Sequence, residues 1–282
     1  MKPRQKYVRD RLGRFASTSG NGPAPAAEGR VRSAVAGVRR NRRLAASIRA
    51  EPVGEREVPT RADELPEYRR TRIDNPPPER LAAREAARQQ VVAQYPQLAE
   101  LGDRLIVENL DEPRVQREVA HLAALPPTLL YSFAATGDRV VITGGNLVNI
   151  DEYRVLQNER PRGYPRGSTF ANVGGVYSTV RGEAVSAAAP VGEFREAPGV
   201  AAHEVGHSIG YKRGWEHPNA IGEWHRRLIR EQRPGMTPYL EQDGPGSEAG
   251  CQELIAESIA DYSYSRARAV RLYGAEYVRW ME

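Results

Sequence analysis

Cysteine is nearly absent from this chain of 282 residues: there is one, Cys251. That excludes an internal disulfide and any zinc site built from several thiolates. Lysine is almost as rare, with 3 against 38 arginines, a bias that points to a GC-rich coding sequence rather than to a targeting signal. No apolar run approaches the roughly 18–20 residues that cross a bilayer. The start, MKPRQKYVRDRLGRFA, is charged but has no apolar core, so it does not read as a secretory signal peptide. These absences lead us to expect a cytoplasmic or virion-associated protein. Acidic residues are missing in a more local way. Residues 1–50 hold 13 basic side chains and 2 acidic ones, a net +11, while the rest of the chain carries −6. A basic arm is attached to a mildly acidic body.

Residues 1–65 are rich in Ala, Gly, Pro, Ser and Arg and poor in aromatics. They bury too little apolar surface to offset the entropy of folding and are expected to be mostly disordered, apart from a helix around Val31–Ile48. Residues 66–118 read as a helical linker region. It contains a stiff proline cluster at Pro76–Pro78, a helix from Pro78 to about Gln94, a second over Tyr95–Ile106, and the start of a third over Arg114–Leu125. Residues 119–282 read as the main domain. Here a short helix after Leu125-Pro126-Pro127 ends at Gly137, Arg139–Thr143 is a β-branched strand, and Asn146–Ile150 is its return after a Gly144-Gly145 turn. The segment 161–170 is too rich in Pro and Gly for anything but an ordered loop. Val176–Val180 and Ala184–Ala188 form a hairpin, and helices are expected over about 198–209, 219–232 and 249–268.

Chemistry concentrates in His203-Glu204-Val205-Gly206-His207. Histidines at i and i+4 share a helical face and can reach one ion, while the glutamate between them projects beside a metal-bound water. Ala202, Val205 and Ile209 form an opposing apolar stripe, and Gly210 is placed to end the helix. A catalytic zinc site needs a third protein ligand and an open fourth position. A third histidine on the metzincin spacing is excluded, because Arg213 stands there. A carboxylate is available instead: Glu253, Glu257 and Asp261 recur every four residues on one face of a later helix. Glu253 backed by Glu257, and Glu257 backed by Asp261, both satisfy the spacing. His217 and His225 read as surface or capping residues, His121 as structural, and Cys251 as a packed thiol turned away from the acidic face.

From His121 to Tyr262 the chain resembles the catalytic domain of anthrax lethal factor and related toxin-type zinc metallopeptidases. The resemblance lies in the LPPTLL helix before RVVITGG, in PRGYPRGSTFANVGGVY, in AAHEVGHSIG and in ELIAES. It implies an α+β, zincin-like domain with a small mixed sheet, an active-site helix and C-terminal helices. It implies one Zn2+ per chain held by His203, His207 and Glu253, with Glu204 as catalytic base, Glu257 behind the ligands, and Tyr239 stabilising the oxyanion. The insertion DGPGSEAG makes the spacing from Tyr239 to Glu253 longer than in the family.

The expected function is that of a zinc endopeptidase acting on a protein or peptide substrate, with the hairpin strand before the metal helix pairing along the substrate backbone. The opening YVRDRLGRFAS resembles the starts of structural and morphogenesis proteins of bacteriophages, which suggests a phage-encoded enzyme. The competing readings are a delivered toxin-type effector peptidase and a non-catalytic phage particle or nucleic-acid-binding protein with a structural zincin body. In each, the basic arm is free to contact nucleic acid or an acidic protein surface.

Overall fold

The computed structural model describes residues 77–159, 169–188, 199–232 and 238–282. The arm of residues 1–65, the expected helix at 31–48 and most of the Pro/Gly-rich loop lie outside them. Pro78 opens α1 (Pro78–Gln94), where a missing N–H is harmless. A 3-10 segment follows over Pro96–Arg104, broken at Gly102 by a φ of 55°, and leads into β1 (Leu105–Val107). A helix was expected over this stretch, but the left-handed glycine ends it and delivers Leu-Ile-Val as a buried strand. Two helices starting on prolines, α2 (Pro113–Ala123) and α3 (Pro127–Ala134), carry the chain to β2 (Arg139–Thr143). Because α2 spans residue 118 and β1 pairs with β2, the sheet begins inside the stretch that the sequence suggested was a linker.

The sheet order is β1-β2-β4-β3, with β3 over Gly175–Ser178 and β4 over Glu183–Ala187. β1, β2 and β4 run parallel, and β3 returns antiparallel to β4 as the expected hairpin. No return strand follows Gly145. Leu147–Asn149 and Asp151–Leu156 are 3-10 turns instead, and they fold back to cover the sheet. Alternation along the strands sends Ile106, Val141, Val185 and Ala187 to that covered face, where they pack with Leu147, Tyr153, Leu156 and Phe170. Glu183 is fully buried at the start of β4. Arg139 at 2.7 Å, Arg181 at 2.8 Å and the Tyr153 hydroxyl surround it.

Helices occupy the opposite face. α4 (Val200–Arg213) crosses β4 and β3, and α6 (Glu248–Tyr264) lies on α4. Both are buried on most sides, as expected of helices lined with Ala, Gly, Val and Ile. α4 runs past Gly210 and ends where Gly214 takes φ 66°, since Gly210 is packed against Ile255 and Glu216 inside the helix. α5 (Pro218–Glu231) lies between them in sequence. The single final helix expected to reach residue 268 is broken at the extended Ser265, and α7 (Arg266–Tyr273) and α8 (Ala275–Met281) follow it. Trp224, Tyr277 and Trp280 interlock there. The architecture is α+β, a four-stranded sheet among mostly helical layers. No helix among the described residues is long and apolar enough to cross a membrane.

Candidate metal centre

α4 presents two working faces. His203 and His207, one turn apart, face α6, and Glu204 faces β3. Gly206 lets α6 approach, since a Cβ there would stand 2.8 Å from the Ala256 Cα. That approach brings Glu253 over the histidines. The two Nε2 atoms of His203 and His207 are 3.1 Å apart. Glu253 Oε2 is 3.6 Å from the first and 4.0 Å from the second. A triangle with those sides has its centre about 2.1 Å from each corner, the length of a zinc–nitrogen or zinc–oxygen bond. Among the described residues this is the one group of His, Cys, Asp and Glu side chains placed to hold a metal ion. The side chains are 13 %, 16 % and 12 % exposed, so the cluster keeps some contact with solvent. Three protein donors leave one position of a tetrahedral ion unfilled, as in catalytic rather than structural zinc sites.

Glu257, one turn beyond Glu253, meets the same imidazole from behind, with Oε1 3.3 Å from His203 Nδ1. The ring N–H is not aligned for a full hydrogen bond, so the contact is chiefly electrostatic. Two carboxylates at i and i+4 therefore address the two nitrogens of one ring, which orients it. Burial disfavours a charged His203, but Glu257, Glu204 and Glu253 outweigh it and raise its pKa to about 10. The ring carries a proton that an ion must displace. Asp261, one turn further on, is held by Arg268 at 2.6 Å and by the Tyr273 hydroxyl at 2.7 Å, fastening α7 to α6.

Glu204 is buried, and its carboxylate accepts the backbone N–H of Tyr177 in β3. Gly175 makes room for it, since a Cβ there would lie 2.7 Å from Glu204 Oε1. Burial, reinforced by Glu253 and Glu257 against the pull of His203, pushes Glu204 up to about 8. That value belongs to the metal-free protein; a dication at His203, His207 and Glu253 would oppose the shift and favour the ionised form that a base needs.

The amino end of α4 has no cap of its own, because Gly199 stands there with φ 76°. Glu118 from α2 supplies one, accepting the Ala201 N–H at 2.8 Å. Neither this residue nor Asp138, Tyr177 and Ser208 on the β3 side of α4 was singled out by the sequence, since single acids and hydroxyls carry no spacing signal.

No protein family matches the chain in a scan of family profiles, and no curated protein matches it. Among solved structures it is similar to the Pro-Pro endopeptidase of Paenibacillus alvei. That likeness has 18 % identity and a TM-score of 0.47, and it covers 64 % of this chain and 97 % of the other.

The remaining sequence candidates fall elsewhere. Tyr239 belongs to the 3-10 turn Pro238–Glu241, but its side chain lies outside the described residues. His225 is buried and spans that loop: Nδ1 accepts the Gly246 N–H at 2.7 Å, and Nε2 donates to the Leu240 carbonyl at 2.5 Å. His217 caps α5 by accepting the Asn219 N–H. His121 lies 3.5 Å from the Ser263 carbonyl. Cys251 is buried and free, with burial pushing its thiol up to about 12.

Proposed function

We propose that the chain is a zinc-dependent endopeptidase. The observation that carries this reading is the convergence of His203, His207 and Glu253 beside a buried Glu204. The donor set of two imidazoles and one carboxylate suits zinc and leaves a position open. When bound, the ion acidifies a water and polarises the scissile carbonyl. Glu204 accepts the proton of the attacking water and returns it to the leaving amine. Glu257 fixes the His203 ring. Tyr239 is assigned the hydrogen bond to the developing oxyanion. β3 is an edge strand, along which an extended peptide adds through its backbone. The +11 arm takes no part in this chemistry and is assigned to tethering on nucleic acid or an acidic protein surface.

The test is cleavage of an unfolded protein substrate by zinc-loaded wild type and by Glu204→Gln. Glu204→Gln is expected to keep its zinc and to lose about 10²–10⁴-fold in kcat. A variant that cleaves as fast as wild type removes Glu204 from the mechanism. A wild type that holds zinc but cleaves nothing favours the structural reading of the site.

A further inference from the structure

A second set of buried polar side chains lies on the β3 side of α4, away from the metal ligands. Asp138, between α3 and β2, is 4 % exposed. Its Oδ2 accepts the Tyr177 hydroxyl at 2.9 Å and the Ser208 hydroxyl at 2.7 Å. Its Oδ1 lies 3.9 Å from Lys212 Nζ. Its own N–H is held by Thr136 Oγ1 at 3.1 Å. Gly182, with φ +63°, passes so close that a Cβ would stand 2.9 Å from Oδ1. One carboxylate oxygen therefore takes a hydroxyl from β3 and a hydroxyl from α4.

The positions of those two residues give the contact its meaning. Ser208 is one helical turn beyond Glu204, on the same face of α4. Tyr177 is the residue whose backbone N–H meets the Glu204 carboxylate. Strand and helix are thus joined at two points one turn apart, and the Glu204 carboxylate is one of them. Apolar packing would hold β3 against α4 without fixing the sliding of one on the other. Two hydrogen bonds to a single buried oxygen do fix it. Burial, with the Asp138 charge beside it, keeps the Tyr177 phenol far above its ordinary range, so it remains a donor.

We infer that Asp138 is a positioning residue for Glu204, clasping β3 to α4 through Tyr177 and Ser208. This rests on the reading of Glu204 as the general base. Tyr177→Phe and Ser208→Ala each remove one arm of the clasp, Asp138→Ala removes both, and Asp138→Asn keeps an acceptor oxygen. Misplacement of a reacting group by a fraction of an ångström to 1 Å lowers rates by about ten- to hundredfold. The expected result at zinc saturation is a kcat about tenfold lower in Tyr177→Phe and in Ser208→Ala. Asp138→Ala should be lower still, with partial recovery in Asp138→Asn, unchanged zinc content and a smaller effect on KM. Amide exchange across residues 175–178 should quicken in Tyr177→Phe. Unchanged kcat per bound zinc in both single-arm variants would overturn the inference. Zinc-loaded wild type without proteolysis would instead strike the proposed function. In that case unchanged exchange over β3 in Tyr177→Phe would still overturn the clasp, and faster exchange would uphold it.

Discussion

Gly206 stands between the two histidines, inside a helix, where glycine is about 1 kcal/mol worse than alanine. Its neighbour explains it. A Cβ on Gly206 would meet the Ala256 Cα at 2.8 Å and the Ala256 backbone N and O at 3.4 Å. A helix backbone cannot swing aside, so reaching ordinary carbon–carbon contact parts α4 and α6 by about 0.7 Å at this point. Overpacking of this kind costs about 1–3 kcal/mol, while replacing glycine returns about 0.4–1 kcal/mol. Gly206→Ala should therefore lose about 1–2 kcal/mol, a few degrees in Tm for a body of this size. The larger effect should fall on the metal. Glu253 is one turn from Ala256 and moves with it, and ligand distances tolerate only about 0.2 Å. Zinc affinity measured by chelator competition should weaken about tenfold or more. Gly210→Ala is the control on the same helix, because its nearest neighbours are the Ile255 and Glu216 side chains at 3.2 and 3.3 Å, which can yield. It should be near neutral in both assays. Equal melting temperature and zinc affinity in Gly206→Ala and Gly210→Ala would show that the Gly206–Ala256 approach does not set the ligand geometry.

Glu118→Ala should leave the Ala201 N–H without its acceptor and cost about 1–3 kcal/mol in urea denaturation, with Glu118→Gln recovering part of the loss. The pH dependence of the metal-free protein follows from two raised pKa values. Glu204 moves from 4.5 to about 8 and His203 from 6.5 to about 10, so over those ranges the folded state binds more protons than the unfolded one. Metal-free stability should consequently fall as pH climbs above 7. Zinc binding, which displaces the His203 proton, should tighten over the same range. Melting curves between pH 7 and 9, with chelator and with zinc, check both; a metal-free Tm that rises through this range contradicts the assignment.

Much of the centre was legible because its signals are periodic. The i,i+4 spacing of His203 and His207, and of Glu253 and Glu257, survives folding as two facing helical stripes. Spacing alone could not choose between the acids. In the structure Glu253 is the acid whose oxygen lies within reach of both imidazole nitrogens, where Gly206 lets α6 approach at Ala256. The hairpin of β3 and β4 was legible from two short runs flanking Arg181-Gly182-Glu183, but β1 was not, because three residues after a 3-10 segment carry no period. The break at Ser265 was hidden for a different reason: the helical pattern continues through it, and the turn is fixed by Arg268 and Tyr273 reaching back to Asp261. Glu118 and Asp138 show the remaining gap, since each matters through a partner far away in sequence.

The most direct test of the account is the zinc content of purified wild type, Glu253→Ala and Glu257→Ala. Wild type should hold about one zinc per chain, Glu253→Ala should lose it, and Glu257→Ala should keep it with affinity about 10–100-fold weaker. A wild type that binds no zinc, or a Glu257→Ala variant that alone is stripped of it, would contradict the assignment of His203, His207 and Glu253.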